Sequence, residues 1–277
     1  MEDISDRTLS KYIEIIHSWS GIYFTNSNVS VLKRKILQQS KQENLSPEDY
    51  LGLVIRDNDK MMEFIDSITT NFTKFFRHPD QFEFIRNKVV PEIAIKREQQ
   101  GLFRIKLWSA GCATGEEVYS LLISALESFE ENGIKMKLEI IASDISLRCL
   151  EIAQRGVYSK EKFQDVPQYV LDKYFFKVDD NKFGVKEEFK KYIRFDFHNL
   201  LYDSGLRNVD VVMCRNVLIY MNEESIKKVL DNIYISMNDD GYLFLSPTES
   251  LFGLTNKFKS SREENIFFYN KVLLKQD

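Results

Sequence analysis

At 277 residues the chain is long enough to bury one sizeable core and carry a smaller unit beside it. Lys+Arg 38 against Asp+Glu 42 leaves a net charge of -4, which offers no global basic footprint for nucleic acid or an anionic membrane. Cys112, Cys149 and Cys214 form no CxxC, and His17, His78 and His198 lack metal-ligand spacing, which points to reduced thiols in a cytoplasmic protein and to no metal site. The acidic, polar start MEDISDRTLS predicts no secretory signal, and apolar runs such as Val209 to Cys214 are too short to cross a bilayer.

Residues 1–70 read as all-helical. Tyr12, Ile15, Ile16 and Trp19 recur at helical spacing and Gly21 ends that helix. Val31, Leu32, Lys35, Ile36 and Gln39 predict a second helix, with Lys33, Arg34, Lys35 and Lys41 on its exposed side, either a solvated face or a docking surface for an acidic partner. Ser46 caps a third helix with Pro47 in its first position, and a fourth runs from about Asn58 to Thr69 with Met61, Met62, Phe64, Ile65 and Ile68 on its apolar side. In 71–77 the polar Asn71, Thr73 and Arg77 alternate with Phe72, Phe75 and Phe76; the pattern suits a ligand-facing segment or an aromatic hinge. A long helix then spans about Pro79 to Lys96.

From there strands and helices alternate. Ile105, Leu107 and Trp108 end an apolar strand, Ser109 to Gly115 are all small, and a helix begins near Glu116, Glu117 and Val118. This strand, small-residue turn and helix start is how an α/β protein brings backbone close to a nucleotide-like ligand, although it also describes a tight turn with nothing bound. No Lys-Ser/Thr pair follows Gly115, and two acids at the helix start repel phosphate, so the turn suits a ligand bearing an amino group or a sulfonium. Leu138 to Ala142 forms the next strand and ends at Asp144, placed to accept from both hydroxyls of a ribose or to cap the helix Leu147 to Arg155.

Lys160 to Tyr174 gives short helical pieces, and Phe175 to Val185 reads as a hairpin turning at Asp179-Asp180-Asn181. Tyr192 to Phe197 forms another strand, with His198 and Asn199 at its end, and these strands are expected to share a small β subdomain at about 174–197. A buried parallel-type strand, Val209 to Cys214, runs into Arg215 and Asn216; Asn222 caps a helix to Met237, and Tyr242 to Ser246 and Ile266 to Val272 close the chain as a pair. The alternation predicts an α/β fold: a mostly parallel sheet with helices on its faces and its ligand at the strands' carboxyl ends. Glu116/Glu117, Asp144 and Arg215-Asn216 all fall at those ends.

Four motifs in order, TNFTKFFR (70–77), LWSAGCATGEEVYS (107–120), ASDIS (142–146) and CRNVLIY (214–220), resemble those of the chemotaxis receptor (protein-glutamate) O-methyltransferase family, CheR-type. The resemblance covers nearly the whole chain, through the closing GYLFLSPTES. It implies a Rossmann-like S-adenosylmethionine-dependent methyltransferase sheet at 98–277, an all-helical N-terminal domain at 1–70, and an interdomain segment and linker helix at 71–97. It also implies a cytoplasmic enzyme that methyl-esterifies glutamates on the cytoplasmic domains of chemoreceptors, with no nucleic-acid partner and no membrane insertion.

Carried residue by residue, it has Asn71, Thr73 and Arg77 reaching the cofactor, Ala110 and Glu117 meeting it at the turn, and Asp144 taking the ribose hydroxyls. Asn199 and Leu200 flank the adenine, Arg215 and Asn216 line the methionine end, and Arg77 and Tyr220 sit beside the transferring methyl as the catalytic pair. A glutamate is ionised near neutral pH and needs no general base. Carboxylate and sulfonium neutralise each other in the transition state, so excluding water favours reaction and the protein's task is positioning.

Two departures stand out. The hairpin around Asp179 to Val185 holds one glycine, Gly184, where family members that grip a receptor's C-terminal tether peptide have a longer, Gly-richer loop; this predicts independence from such a tether. Residues 1–70 carry 8 Lys/Arg against 11 acids, a smaller basic docking face than the family implies. The same residues also fit a non-catalytic S-adenosylmethionine-binding signalling module, or a methyltransferase acting on another protein or small molecule.

Overall fold

Capping side chains delimit the first helices. In the computed structural model, which describes residues 4–25, 28–69 and 72–273, Ser5 Oγ accepts from the Thr8 N–H to open α1 (Asp6–Ser20), and Gly21 at φ 74° closes it. Helix α2 (Val29–Gln42) is followed by α3 (Pro47–Arg56), capped by Ser46, and α4 (Asn58–Ile68), capped by Asp57. Their inward stripes form a separate apolar cluster around Tyr12, Ile16, Leu32, Ile36, Tyr50 and Phe64. Burying Tyr12 leaves no orphan phenol, because its hydroxyl donates to the Pro47 carbonyl at 2.8 Å. On α2 the buried face is Leu32, Ile36 and Ser40; Val31 turns outward, and the basic residues lie off that stripe.

The helix expected from Pro79 is present with one change of pitch. Helix α5 (Pro79–Phe84) passes through a π segment (Ile85–Val89) into α6 (Val90–Gln99), and the change falls where Pro91 removes a bond of the helical ladder. Then come β1 (Arg104–Ala110), α7 (Glu116–Asn132), β2 (Lys137–Asp144), α8 (Leu147–Arg155), β3 (Val157–Ser159), α9 (Gln168–Tyr174), β4 (Phe175–Asp179), β5 (Lys182–Val185) and α10 (Glu187–Lys190). The chain ends with β6 (Ile193–Phe197), β7 (Val209–Met213), α11 (Glu223–Ser236), β8 (Met237–Phe244), β9 (Phe258–Glu263) and β10 (Ile266–Lys271).

A seven-stranded sheet runs in the order β6-β2-β1-β7-β8-β10-β9, with the first five strands parallel and the last two antiparallel to their neighbours. Alternate residues of a central strand enter opposite cores: Leu107 joins Leu121 and Val211 on one face, Trp108 joins Val212 and Leu230 on the other. Burial on both faces is why these strands read as continuous apolar runs, and it makes the fold α/β with helices on both faces. The chain leaves β1 toward β2 and β6 on one side and returns through β7 and β8 on the other. The crevice at the carboxyl ends therefore opens between β1 and β7.

The small β subdomain expected at about 174–197 needs correction at both ends. Strand β6 pairs in parallel with β2, Ile140 opposite Ile193, and belongs to the main sheet. The separate sheet is β3-β5-β4, with Val157–Ser159 as its third strand. Period-two patterning shows that 192–197 is a strand and is silent on its partner, and three residues are too few to register as one. Strand β9, polar and at the sheet edge, falls between the two strands expected to close the chain as a pair. No helix of the described residues is long and apolar enough to cross a membrane.

Candidate functional site

The carboxyl ends of β1, β2, β6 and β7 frame a cavity of about 280 Å³. Its floor is the small-residue turn after β1. Gly111 sits at φ 85° with the position of a Cβ only 2.5 Å from Val217 Cγ2, and Ala113 and Gly115 are also left-handed. Three further non-glycine residues near the cavity, Phe76, His78 and Asn216, hold positive φ, a concentration of backbone strain typical of binding sites.

Of the two acids opening α7, Glu117 faces the cavity. It is 8 % exposed, accepts from Ser109 Oγ at 2.8 Å and stands 3.5 Å from Arg215 Nη1. Glu116 turns away, accepting from Thr114 Oγ1 at 2.6 Å and pairing with Lys162 Nζ at 2.9 Å. Asp144 closes β2 with Oδ2 accepting from the Ala113 N–H at 2.8 Å and Oδ1 from the Ser146 N–H at 2.9 Å. The cap of α8 is Ser146, so Asp144 is not the helix cap that its position allows. Both carboxylate oxygens keep a second lone-pair site for a hydroxyl donor.

Arg215, buried at the end of β7, completes the charged set. Its Nη2 donates to the Arg77 carbonyl and its guanidinium lies 5.3 Å over the Phe82 ring. Nε and Nη1 find no hydrogen-bond acceptor among the described residues; Glu117 lies at ion-pair distance from Nη1 without the geometry of a hydrogen bond. Donors left unpaired in a buried guanidinium are costly, and an acceptor delivered by a ligand removes that cost.

Of the other expected residues, Thr73, Arg77, Asn199, Leu200, Asn216 and Tyr220 also line the cavity. Arg77 makes no ion pair among the described residues; its Nη1 donates to the Phe72 carbonyl at 3.2 Å. Tyr220 is 36 % exposed and so is no core aromatic. Asn199 donates to the Trp19 carbonyl and accepts from the Leu201 N–H at 3.0 Å. Ala110 is the exception: it is fully buried in β1 behind the cavity wall, and Gly111 takes the lining position. Asn71 lies outside the described residues.

One wall was not anticipated from sequence. Ser20 at the end of α1 and Ile22, Tyr23 and Phe24 from the link to α2 line the cavity too. A single antiparallel bridge, Ile22 opposite Met221, holds them there, with the Tyr23 N–H donating to the Tyr220 carbonyl at 2.8 Å. The available signal is the run Ile22-Tyr23-Phe24 beyond the helix stop at Gly21, apolar residues with no helical stripe to join.

Burial raises the pKa of both Glu117 and Asp144, opposed by Arg215 and Ser109 at the first and by the Ser146 and Ala113 N–H groups at the second. With folded-state values raised, ionising these groups weighs against the folded state as pH climbs from the ordinary carboxylate value to the raised one. A ligand that donates hydrogen bonds to the ionised forms reverses that effect. S-adenosylhomocysteine, the product of the cofactor that the sequence resemblance implies, is therefore expected to raise the melting temperature more at about pH 7 than at about pH 5. A ligand-induced shift that is equal at both contradicts this.

The family model for CheR methyltransferase, SAM binding domain, matches residues 71–267. Over 265 residues the chain is 31% identical to the chemotaxis protein methyltransferase of Borreliella burgdorferi, covering 92% of this chain and 92% of that one. It is 32% identical to the chemotaxis protein methyltransferase of Vibrio parahaemolyticus, with 94% of each chain covered. Chemotaxis protein methyltransferase 1 of Vibrio cholerae is 31% identical, again with 94% of each covered.

Proposed function

The chain belongs to the CheR methyltransferase family, and we propose that it transfers a methyl group from S-adenosylmethionine to glutamate side chains of chemoreceptors, forming the methyl esters of chemotactic adaptation. The observation that carries the reading is three buried charged side chains around one cavity, each matched to a different part of that cofactor. Asp144 keeps lone pairs for the ribose hydroxyls, Glu117 offers a carboxylate to the amino group, and the unpartnered N–H groups of Arg215 suit the methionine carboxylate. Thr73, Asn199, Leu200 and Asn216 fill in around them.

Bound S-adenosylmethionine supplies an electrophilic sulfonium methyl. The chain's own part is to seat an already ionised glutamate and keep water out. Arg77, with one N–H on the Phe72 carbonyl, has donors left for the incoming carboxylate, and Tyr220 at the rim can donate to the same group. Arg77 must hold the carboxylate less tightly in the ground state than in the transition state, or the contact adds nothing to the rate of the chemical step. The wall from Ile22 to Phe24 is bridged to this end through Tyr220 and Met221. Arg77→Ala is expected to lower kcat/KM for receptor methylation about a hundredfold, with Arg77→Lys intermediate because it keeps the charge and loses the fork. Wild-type rates in Arg77→Ala remove it from the chemistry.

We propose that the substrate glutamates lie on the receptors' cytoplasmic domains, in the cytoplasm, and that engagement is independent of a C-terminal tether. The supporting feature is the tight hairpin, in which β4 and β5 are joined through Asp180 and Asn181 with the Asn181 N–H on Asp179 Oδ1 at 2.8 Å. Titrating a receptor C-terminal peptide into the protein is expected to give no heat of binding, and micromolar affinity refutes tether independence.

A further inference from the structure

After β8 the chain turns at Ser246, and Glu249 reaches back under the segment from Arg215 to Tyr220. Its carboxylate accepts from five backbone N–H groups. Oε1 takes Val217 at 3.1 Å, Leu218 at 3.0 Å and Ile219 at 3.3 Å; Oε2 takes Asn216 at 2.8 Å and Ser246 at 3.0 Å. Four consecutive amides converge because Asn216 sits at φ 58° and Val217 follows in the right-handed region, the alternation that builds an anion-holding nest from backbone. Asparagine tolerates that φ better than most side chains.

The segment so held carries much of the cavity wall. Arg215, Asn216 and Tyr220 line the cavity from it, and Val217 closes against Gly111, leaving no room there for a Cβ. Its backbone also bridges to Ile22 of the N-terminal wall through Met221. The charge of Glu249 favours the protonated Arg215 against its burial. None of the four motifs that mark the site contains Glu249, and it does not line the cavity.

We propose that Glu249 is a positioning residue, a carboxylate held in a backbone nest that fixes Arg215, Asn216 and Tyr220 in their places for the cofactor and the incoming glutamate. The proposal rests on the cofactor reading above. A residue that merely braces a loop predicts loss of stability; an anion in a nest predicts that another small anion can replace it.

The test is calorimetric binding of S-adenosylhomocysteine to the full chain, wild type and Glu249→Ala, in chloride and then with formate or acetate added. Binding to Glu249→Ala is expected to weaken at least about tenfold and to recover in part with either carboxylate. Glu249→Ala binding within about twofold of wild type, or a loss that neither anion relieves, overturns the assignment. If Glu249→Ala does not fold, the near-isosteric Glu249→Gln decides: about tenfold weaker binding is expected, because its amide N–H groups face N–H donors, and wild-type affinity overturns the role. Failure of the wild type to bind S-adenosylhomocysteine sinks the cofactor reading itself, an outcome separate from any failure at Glu249.

Discussion

Asp144→Ala is expected to weaken S-adenosylhomocysteine binding at least about a hundredfold while leaving the fold intact. Two losses combine. The carboxylate proposed to take both ribose hydroxyls disappears, and so does the acceptor for the Ala113 and Ser146 N–H groups, which shape the turn on which the ligand lies. A hydrogen bond to a charged acceptor is worth about 1.5–3 kcal/mol, so losing both ribose contacts reaches that factor, and the disturbed turn adds to it. The two orphaned N–H groups lower stability by about 1–3 kcal/mol each, but the fold is expected to persist because Ser146, not Asp144, caps α8. Asp144→Asn is expected to fare little better: whichever way the amide is turned, its NH2 meets the N–H of Ala113 or of Ser146. Calorimetry reads the effect directly, and affinity within about threefold of wild type in Asp144→Ala removes Asp144 from the site.

Gly115→Ala is expected to produce the largest stability loss among the glycine positions of the turn. Gly115 lies at φ 96°, where an L side chain is strained by about 1–2 kcal/mol. An added Cβ meets Ala153 Cβ at 2.7 Å, the Tyr158 hydroxyl at 2.8 Å and Ala153 Cα at 3.0 Å. The last is α8 backbone and cannot swing aside, and Tyr158 is fixed by donating to the Thr114 carbonyl at 2.8 Å. Overpacking of this kind adds about 1–3 kcal/mol, and together the two effects lower Tm by roughly 5–10 °C. Gly101 is the control: it has φ 70° and nothing within 4 Å of an added Cβ, so Gly101→Ala carries the backbone strain alone. Scanning calorimetry that finds Gly115→Ala no less stable than Gly101→Ala shows that the turn has room the structure denies it.

The sheet and its switch point were legible because burial on both faces writes itself as largely apolar runs, as in Val209 to Met213, which the buried, Arg97-paired Asp210 alone interrupts. Glu117, Asp144 and Arg215 stand at the ends of such runs, so the strand pattern alone placed them together. The choice between Glu116 and Glu117 was beyond the pattern, since neighbouring positions on a helix start differ only by rotation; here Lys162 takes one and the cavity the other. Glu249 lies in the closing GYLFLSPTES, yet its role was not legible, for a different reason. Four of its five partners are backbone N–H groups 30 or more positions away, and backbone donors leave no mark on side-chain identity. The wall from Ile22 to Phe24 and the pairing of β6 with β2 are likewise long-range backbone contacts that no local period encodes.

The decisive measurement is transfer of radiolabelled methyl from S-adenosylmethionine to receptor-containing membranes, followed by mild base. Label on the receptor band, dependent on the protein and released by base as volatile methanol, is the expected result, because a glutamyl methyl ester is the alkali-labile linkage this site is proposed to make. Tight S-adenosylhomocysteine binding with no label on any chemoreceptor tested, or with label that resists base, contradicts glutamate methylation and leaves a cofactor-binding protein of another role.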